Sequence, residues 1–165
     1  MWSWETGLAA VRTVCADRLS GSRLRRTVAG MRPRSVIDYA LARRATLADL
    51  FAGRISSLDV CDAHPYLLRA ARYHGERTTK RCPVCRGGDP LIHVTYAYGD
   101  ELGESSGRVR TTRELPALAS RYSELRIYVV EVCPPCGWNH LVTSYVIGTG
   151  EPRAKKQIRR RTADR

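Results

Sequence analysis

Ile127-Tyr128-Val129-Val130-Glu131-Val132-Cys133-Pro134-Pro135-Cys136-Gly137-Trp138-Asn139-His140-Leu141-Val142-Thr143-Ser144-Tyr145-Val146-Ile147 is the stretch that decides the fold of this chain. Two runs rich in β-branched and aromatic residues flank a tight Cys-Pro-Pro-Cys-Gly turn, so it reads as strand, turn, strand. Two residues between the cysteines let both sulfurs converge on one cation, while the turn aims backbone N–H groups at the thiolates. Gly137 follows at the position where such a turn needs a positive φ. A hairpin whose turn is pinned by metal is the arrangement of a zinc ribbon.

A second pair, Cys82-Pro83-Val84-Cys85, completes a set of four thiols. It is followed by Arg86 before Gly87 and Gly88, so its turn is the less regular of the two. Cys82, Cys85, Cys133 and Cys136 are therefore the candidate ligands of one structural Zn2+. Iron in a rubredoxin-like site would use the same four sulfurs, but no second cluster or redox motif accompanies them, which favours zinc. Two disulfides, or four unrelated buried thiols, fit the paired spacing less well. A closed shell of four cysteines leaves no position for a substrate water, so the site is expected to be structural rather than hydrolytic.

The pairs are separated by 47 residues, 86 to 132, where about 15–20 is usual. Something folded must lie between them. Leu91-Ile92-His93-Val94-Thr95-Tyr96-Ala97-Tyr98 places Ile92, Val94, Tyr96 and Tyr98 on one face at period two, a strand. Gly99 to Gly107 is an acidic loop rich in glycine and serine. Thr111-Thr112-Arg113-Glu114 resembles a capping box, and Leu115, Leu118 and Tyr122 follow at helical spacing, predicting a helix of about ten residues.

Ahead of the first pair the pattern is helical. Ile37, Ala40, Leu41 and Arg44 lie at i, i+3, i+4 and i+7, and Leu47, Leu50 and Phe51 follow before Gly53. Ser56-Ser57-Leu58-Asp59 offers a capped start for a short helix through Cys61, and Pro65 suits the first turn of another, bearing Leu67, Leu68 and Ala71 and ended by Gly75. Residues 35–75 thus predict three or four packed helices. The expected class is α+β: an N-terminal helical module followed by a zinc-ribbon-like antiparallel sheet with an inserted helix. The expected organisation is an accessory or disordered extension at 1–31, the helical module at 32–76, the ribbon domain at 77–150 and a basic disordered tail at 151–165. Met31 is an alternative start.

The chain carries a net charge of +12, of which residues 151–165 supply +5. Such a balance favours polyanions through counterion release, although an arginine-rich solvated surface would give the same totals. Candidate partner-binding residues are Trp138 and His140 at the knuckle tip, Arg69 and Arg72 on the third helix, and Lys155, Lys156, Arg159, Arg160 and Arg161 in the tail. Each has a plainer reading. Trp138 can cover the metal site, His140 can be a hydrogen-bonding neighbour rather than a ligand, and the arginine pair can be a solvated face.

Cys61-Asp62-Ala63-His64 brings thiol, carboxylate and imidazole within four residues. A nucleophile and its base need a third orienting group and an oxyanion site, which this spacing does not supply, so Asp62 or His64 capping the next helix is the better reading. Glycine-rich phosphate loops, HExxH and GxSxG are missing from the sequence, and no enzyme is expected. Cysteines in metal-like pairs, with no apolar run of signal-peptide or transmembrane length, point to a reducing cytoplasm and no membrane. The expected function is a non-catalytic, zinc-binding accessory or regulatory factor associated with RNA, DNA or a nucleoprotein machine such as RNA polymerase or the ribosome. The alternative is a protein–protein adaptor, with the helical module holding the partner and no nucleic-acid contact.

Two long segments carry a family resemblance. Val60-Cys61-Asp62-Ala63-His64-Pro65-Tyr66-Leu67-Leu68-Arg69-Ala70-Ala71-Arg72-Tyr73-His74-Gly75, and Val129 to Cys133 with Cys136-Gly137-Trp138-Asn139-His140-Leu141, resemble an uncharacterised actinobacterial zinc-ribbon family, a domain-of-unknown-function family. The resemblance covers roughly residues 32–150. It implies a cytoplasmic bacterial protein with a helical front half and a ribbon behind it, and it names no activity.

Overall fold

A computed structural model describes residues 32–151 of the chain. The extension at 1–31 and the tail residues Lys155, Lys156, Arg159, Arg160 and Arg161 lie outside the described residues. The centre of the fold is an antiparallel sheet in the order β1-β6-β5-β3-β2. Its strands are β1 (Arg34–Asp38), β2 (Glu76–Arg81), β3 (Pro90–Tyr98), the two-residue β4 (Arg108–Val109) that also pairs with β3, β5 (Leu125–Val132) and β6 (Asn139–Ile147). The hairpin read from 127–147 is the β5–β6 pair, running from Leu125 opposite Ile147 to Val132 opposite Asn139.

Helices cover both faces of this sheet, and the strand alternation says how. Leu91 and Ala97 of β3 point to one side with Leu125 and Ile127 of β5, and all four are fully buried. At one end of that side they meet Leu102 of a 3-10 turn at Asp100–Ser105 and Leu115 of α4 (Leu115–Arg121). At the other end Leu47 and Leu50 of α1 (Ala40–Phe51) and Val60 of α2 (Ser57–Val60) close over the cysteine pairs. The opposite side, with Val94 and Val132, is covered by Ala71, Leu67 and Leu68 of α3 (Pro65–His74). The sheet is sandwiched, so β3 is apolar on both faces rather than on the single face its period-two residues suggested.

Two expectations are corrected. The helix predicted from Ser35 begins only at Ala40, because residues 34–38 pair with β6. Val36 and Ile37 are β-branched and fit an extended edge, and the Asp38 carboxylate accepts a hydrogen bond from the Ala40 N–H at 2.7 Å where the helix begins. A strand stands where no sequence pattern marked one: β2 begins at Glu76 and pairs with β3 ahead of the first cysteine. Its sequence, Glu-Arg-Thr-Thr-Lys-Arg, has no apolar alternation because this edge strand buries neither face. The helix inserted between the cysteine pairs is present, seven residues long, behind the expected Thr111–Glu114 box: Thr111 N–H and Oγ1 both donate to Glu114 Oε2, at 2.7 and 2.9 Å.

Candidate metal centre

Both cysteine pairs sit at the tips of hairpins, β2–β3 and β5–β6. Because β3 and β5 pair antiparallel with Ile92 opposite Val132, the start of β3 lies beside the end of β5 and the two knuckles come side by side. All four sulfurs lie within 4.8 Å of one another, with Cys82 Sγ 3.6 Å from Cys136 Sγ and Cys85 Sγ 3.6 Å from Cys133 Sγ. Four sulfurs at about 2.3 Å from one central ion would form a tetrahedron with edges of about 3.8 Å. The observed spacing fits that requirement. The four cysteines predicted as ligands are thus brought together, close enough to hold one metal ion.

The electrostatics say what a cation would have to overcome. Burial pushes the Cys133 and Cys82 thiols up, Cys133 strongly, and the neighbouring sulfurs push Cys133 further. Cys85, at the surface, moves the other way because the Gly87 N–H hydrogen-bonds its sulfur. Without a cation the buried pair stays protonated; a divalent ion would have to displace those protons and would offset the repulsion among four thiolates.

Local backbone explains the knuckle shapes. Gly137 N–H donates to Cys133 C=O at 2.8 Å, and Arg86 N–H to Cys82 C=O at 3.2 Å. Both closing residues take the left-handed conformation, Gly137 at φ 82° and Arg86 at φ 51°. The glycine expected in the second turn is needed twice over, since a Cβ there would stand 2.7 Å from the Cys61 carbonyl oxygen. In the first turn an arginine occupies a conformation that disfavours a side chain.

Trp138 does not project from the knuckle tip. Its exposure is 0 %, and it packs with Cys82, Leu91 and Cys133, so its ring lies inside the fold beside the cysteines and not on a surface. Its indole N–H donates to Glu131 Oε1 at 2.9 Å, and Arg43 Nε donates to the same oxygen at 2.6 Å. Glu131 is 1 % exposed, a charge placed in the core and paired there by α1. His140 stacks on Trp138 with ring centroids 5.9 Å apart, and its Nδ1 lies 2.6 Å from the Leu141 carbonyl oxygen, outside the sulfur cluster.

Cys61-Asp62-Ala63-His64 docks on the second knuckle. Ala63 N–H donates to Gly137 C=O at 3.0 Å and Asn139 Nδ2 to Asp62 Oδ1 at 2.9 Å. His64 caps α3 through its Nδ1, which accepts from Tyr66 N–H at 3.2 Å, and its ring stacks on Tyr66. The imidazole is therefore committed to the helix start. Arg69 and Arg72 are exposed on α3, with the Arg69 guanidinium 5.2 Å from the centre of the Tyr66 ring. Tyr66 and Tyr73 are each 69 % exposed beside them. Sequence reading passed over these tyrosines, although helical spacing from Tyr66 to Arg69 and Tyr73 puts the three on one face. It also passed over Glu131, whose signal is a carboxylate at an inward position between Val129 and Cys133.

Residues 31–162 match the family model described as "Family of unknown function (DUF5318)". The chain belongs to this family. Among its relatives are "Uncharacterized protein Rv0049" of Mycobacterium tuberculosis (strain ATCC 25618 / H37Rv) and "Uncharacterized protein Mb0050" of Mycobacterium bovis (strain ATCC BAA-935 / AF2122/97). Each is 50% identical over 116 residues, 70% of this chain and 84% of the relative. The family relationship thus links this chain to mycobacterial, hence actinobacterial, proteins. No solved structure matches the chain. Among the described residues no helix is long and apolar enough to cross a membrane.

Proposed function

We propose that the protein is a non-catalytic accessory factor that holds one structural zinc ion and binds nucleic acid, free or within a nucleoprotein machine such as RNA polymerase or the ribosome. The observation carrying the nucleic-acid reading is the outer face of α3. Tyr66 and Tyr73 are exposed there, Tyr66 with His64 stacked on its ring and the Arg69 guanidinium beside it, Arg72 is exposed on the same helix, and Arg77, Lys80 and Arg81 continue the positive charge along the exposed strand β2 that follows. Exposed aromatic rings stack on bases while arginines pair with phosphates, and single strands offer both. The net charge of +12 supports long-range attraction to the same partner. Zinc is favoured over iron by four thiols close enough to close a shell around one ion, with no second cluster of metal-ligating residues among the described residues.

The test is a salt titration of binding to fluorescent single-stranded RNA and DNA. Affinity is expected to fall linearly on a log–log scale, by about 0.7 in slope for each phosphate contacted. Tyr66→Ala with Tyr73→Ala is expected to weaken binding by at least tenfold at fixed salt, on the order of 1–3 kcal/mol per lost stack. No binding of either strand at low salt defeats the direct nucleic-acid reading. A protein–protein adaptor is the second reading, favoured by Val36 and Ile37 on edge strand β1 and by Leu41 and Phe51 on α1, all exposed apolar side chains.

A further inference from the structure

The sheet face that α3 covers beside Val94 and Val132 is left open, among the described residues, at the end of the sheet away from the knuckles. There the register lays out a grid. Tyr98 stands opposite Arg126, Arg126 opposite Val146 and Val146 opposite Arg34 in one row, and Tyr128 stands opposite Ser144 in the next. Strand alternation puts these residues on one face. Tyr98 is 45 % exposed, and Arg126 and Arg34 are exposed with it. Arg34, Arg126, Tyr128 and Ser144 line one open cavity of about 400 Å³. The Tyr98 and Tyr128 rings stand at 86° with centroids 5.5 Å apart, so at least one of the two keeps both its faces clear of the other. Neither Arg34 nor Arg126 makes an ion pair among the described residues.

We propose that this open half-face binds single-stranded nucleic acid, with a base on the Tyr98–Tyr128 pair and the adjoining phosphate held by Arg126 and Arg34. The proposal rests on the nucleic-acid reading above and adds to it a second contact, on the sheet rather than on the outer face of α3. Charge along the grid sets the direction of the strand. Asp100, Glu101 and Glu124 line the neighbouring cavity at the Tyr98 end, where a phosphate would be repelled. Toward β1 the cations continue, because the exposed Arg32 lines a further cavity with Arg34. Phosphates therefore run to the β1 side and the base sits over the tyrosines. Arginine suits that place, since its planar fork meets two phosphate oxygens at once. A duplex keeps its bases stacked inside and offers no free base to the rings, so the surface selects single strands.

The test cross-links the full-length chain at low salt to a single-stranded RNA of about ten nucleotides carrying 4-thiouridine, and maps the labelled peptides by mass spectrometry. Label is expected on the peptides holding Tyr98 and Tyr128. Tyr98→Ala is expected to weaken binding about tenfold, while Tyr98→Phe, which keeps the ring and drops the hydroxyl, binds as the wild type does. Arg126→Gln is expected to lower the log–log salt slope by about 0.7, the share of one phosphate contact. Label confined to α3 peptides overturns this proposal and leaves the α3 reading standing; label on the sheet alone does the reverse. No binding of the strand at low salt overturns both. Uridine monophosphate binding as tightly as the strand, or a dimer that Tyr98→Ala dissolves, also overturns it, the face then being a small-ligand pocket or a contact between copies. The cross-link map uses the wild-type chain, so it decides the matter even if a variant folds poorly.

Discussion

The two knuckles present the same ligand chemistry, yet they are built into the molecule differently. The second is part of the core: Cys133 and Trp138 are buried, Gly137 fits under Cys61, and Ala63 and Asp62 bind its backbone and Asn139. The first has Arg86 where the other has glycine, an exposed Cys85, and an edge strand, β2, as one of its arms. The difference teaches that the protein fold shapes one half of the metal site in advance. The other half would depend more on an ion joining it.

The largest test of that asymmetry replaces one ligand in each knuckle. Cys133→Ser removes a ligand and also leaves a hydroxyl in an apolar cluster, and is expected to lower unfolding stability by about 3 kcal/mol or more. Cys85→Ser is expected to weaken zinc binding while the sheet survives, with a smaller loss in denaturant midpoint. Equal losses from the two would break the comparison. Next in size is Arg43→Ala, which strips the buried Glu131 of its cation and loosens the Trp138 anchor. A loss of about 3 kcal/mol by urea denaturation is expected, because one half of a buried pair is left behind. Glu131→Gln, which keeps an acceptor for the indole N–H, is expected to cost less.

The smallest effects come from the closing residues of the turns, and their signs are opposite. Gly137→Ala places a methyl group 2.7 Å from the Cys61 carbonyl oxygen at a positive φ, and is expected to destabilise by about 2 kcal/mol. Arg86→Gly relieves a side chain held in the left-handed region, and is expected to stabilise by roughly 0.5 kcal/mol after the added freedom of the unfolded chain. Both are read from thermal or denaturant midpoints of the zinc-loaded protein. A destabilising Arg86→Gly would show that the arginine side chain holds the first knuckle in a way its backbone does not reveal.

What the sequence disclosed follows from how strongly each element patterns its side chains. The β5–β6 hairpin was legible because its strands are apolar and its turn carries metal spacing, and α3 was legible from Pro65 at its start and its leucines. Strand β2 was not, because an edge strand exposed on both faces needs no apolar alternation. Strand β1 reads as helix because Ile37 lies at helical spacing from Leu41, and only pairing with β6, more than a hundred residues away, decides between the two. At the candidate metal centre the four cysteines could be named from spacing alone. The burial of Trp138, its link through Glu131 to Arg43, and the approach of Cys61 all depend on tertiary contacts across 7 to 88 residues of sequence or on the docking of a loop, which no local pattern encodes.

Native mass spectrometry of the freshly purified, reduced chain tests the central claim most directly. The account predicts one zinc ion per chain, lost when Cys133 is replaced by serine and lost as the pH falls, since protons compete for the same four sulfurs. A wild-type chain that is folded and carries no metal, or one that keeps its zinc without Cys133, would contradict it.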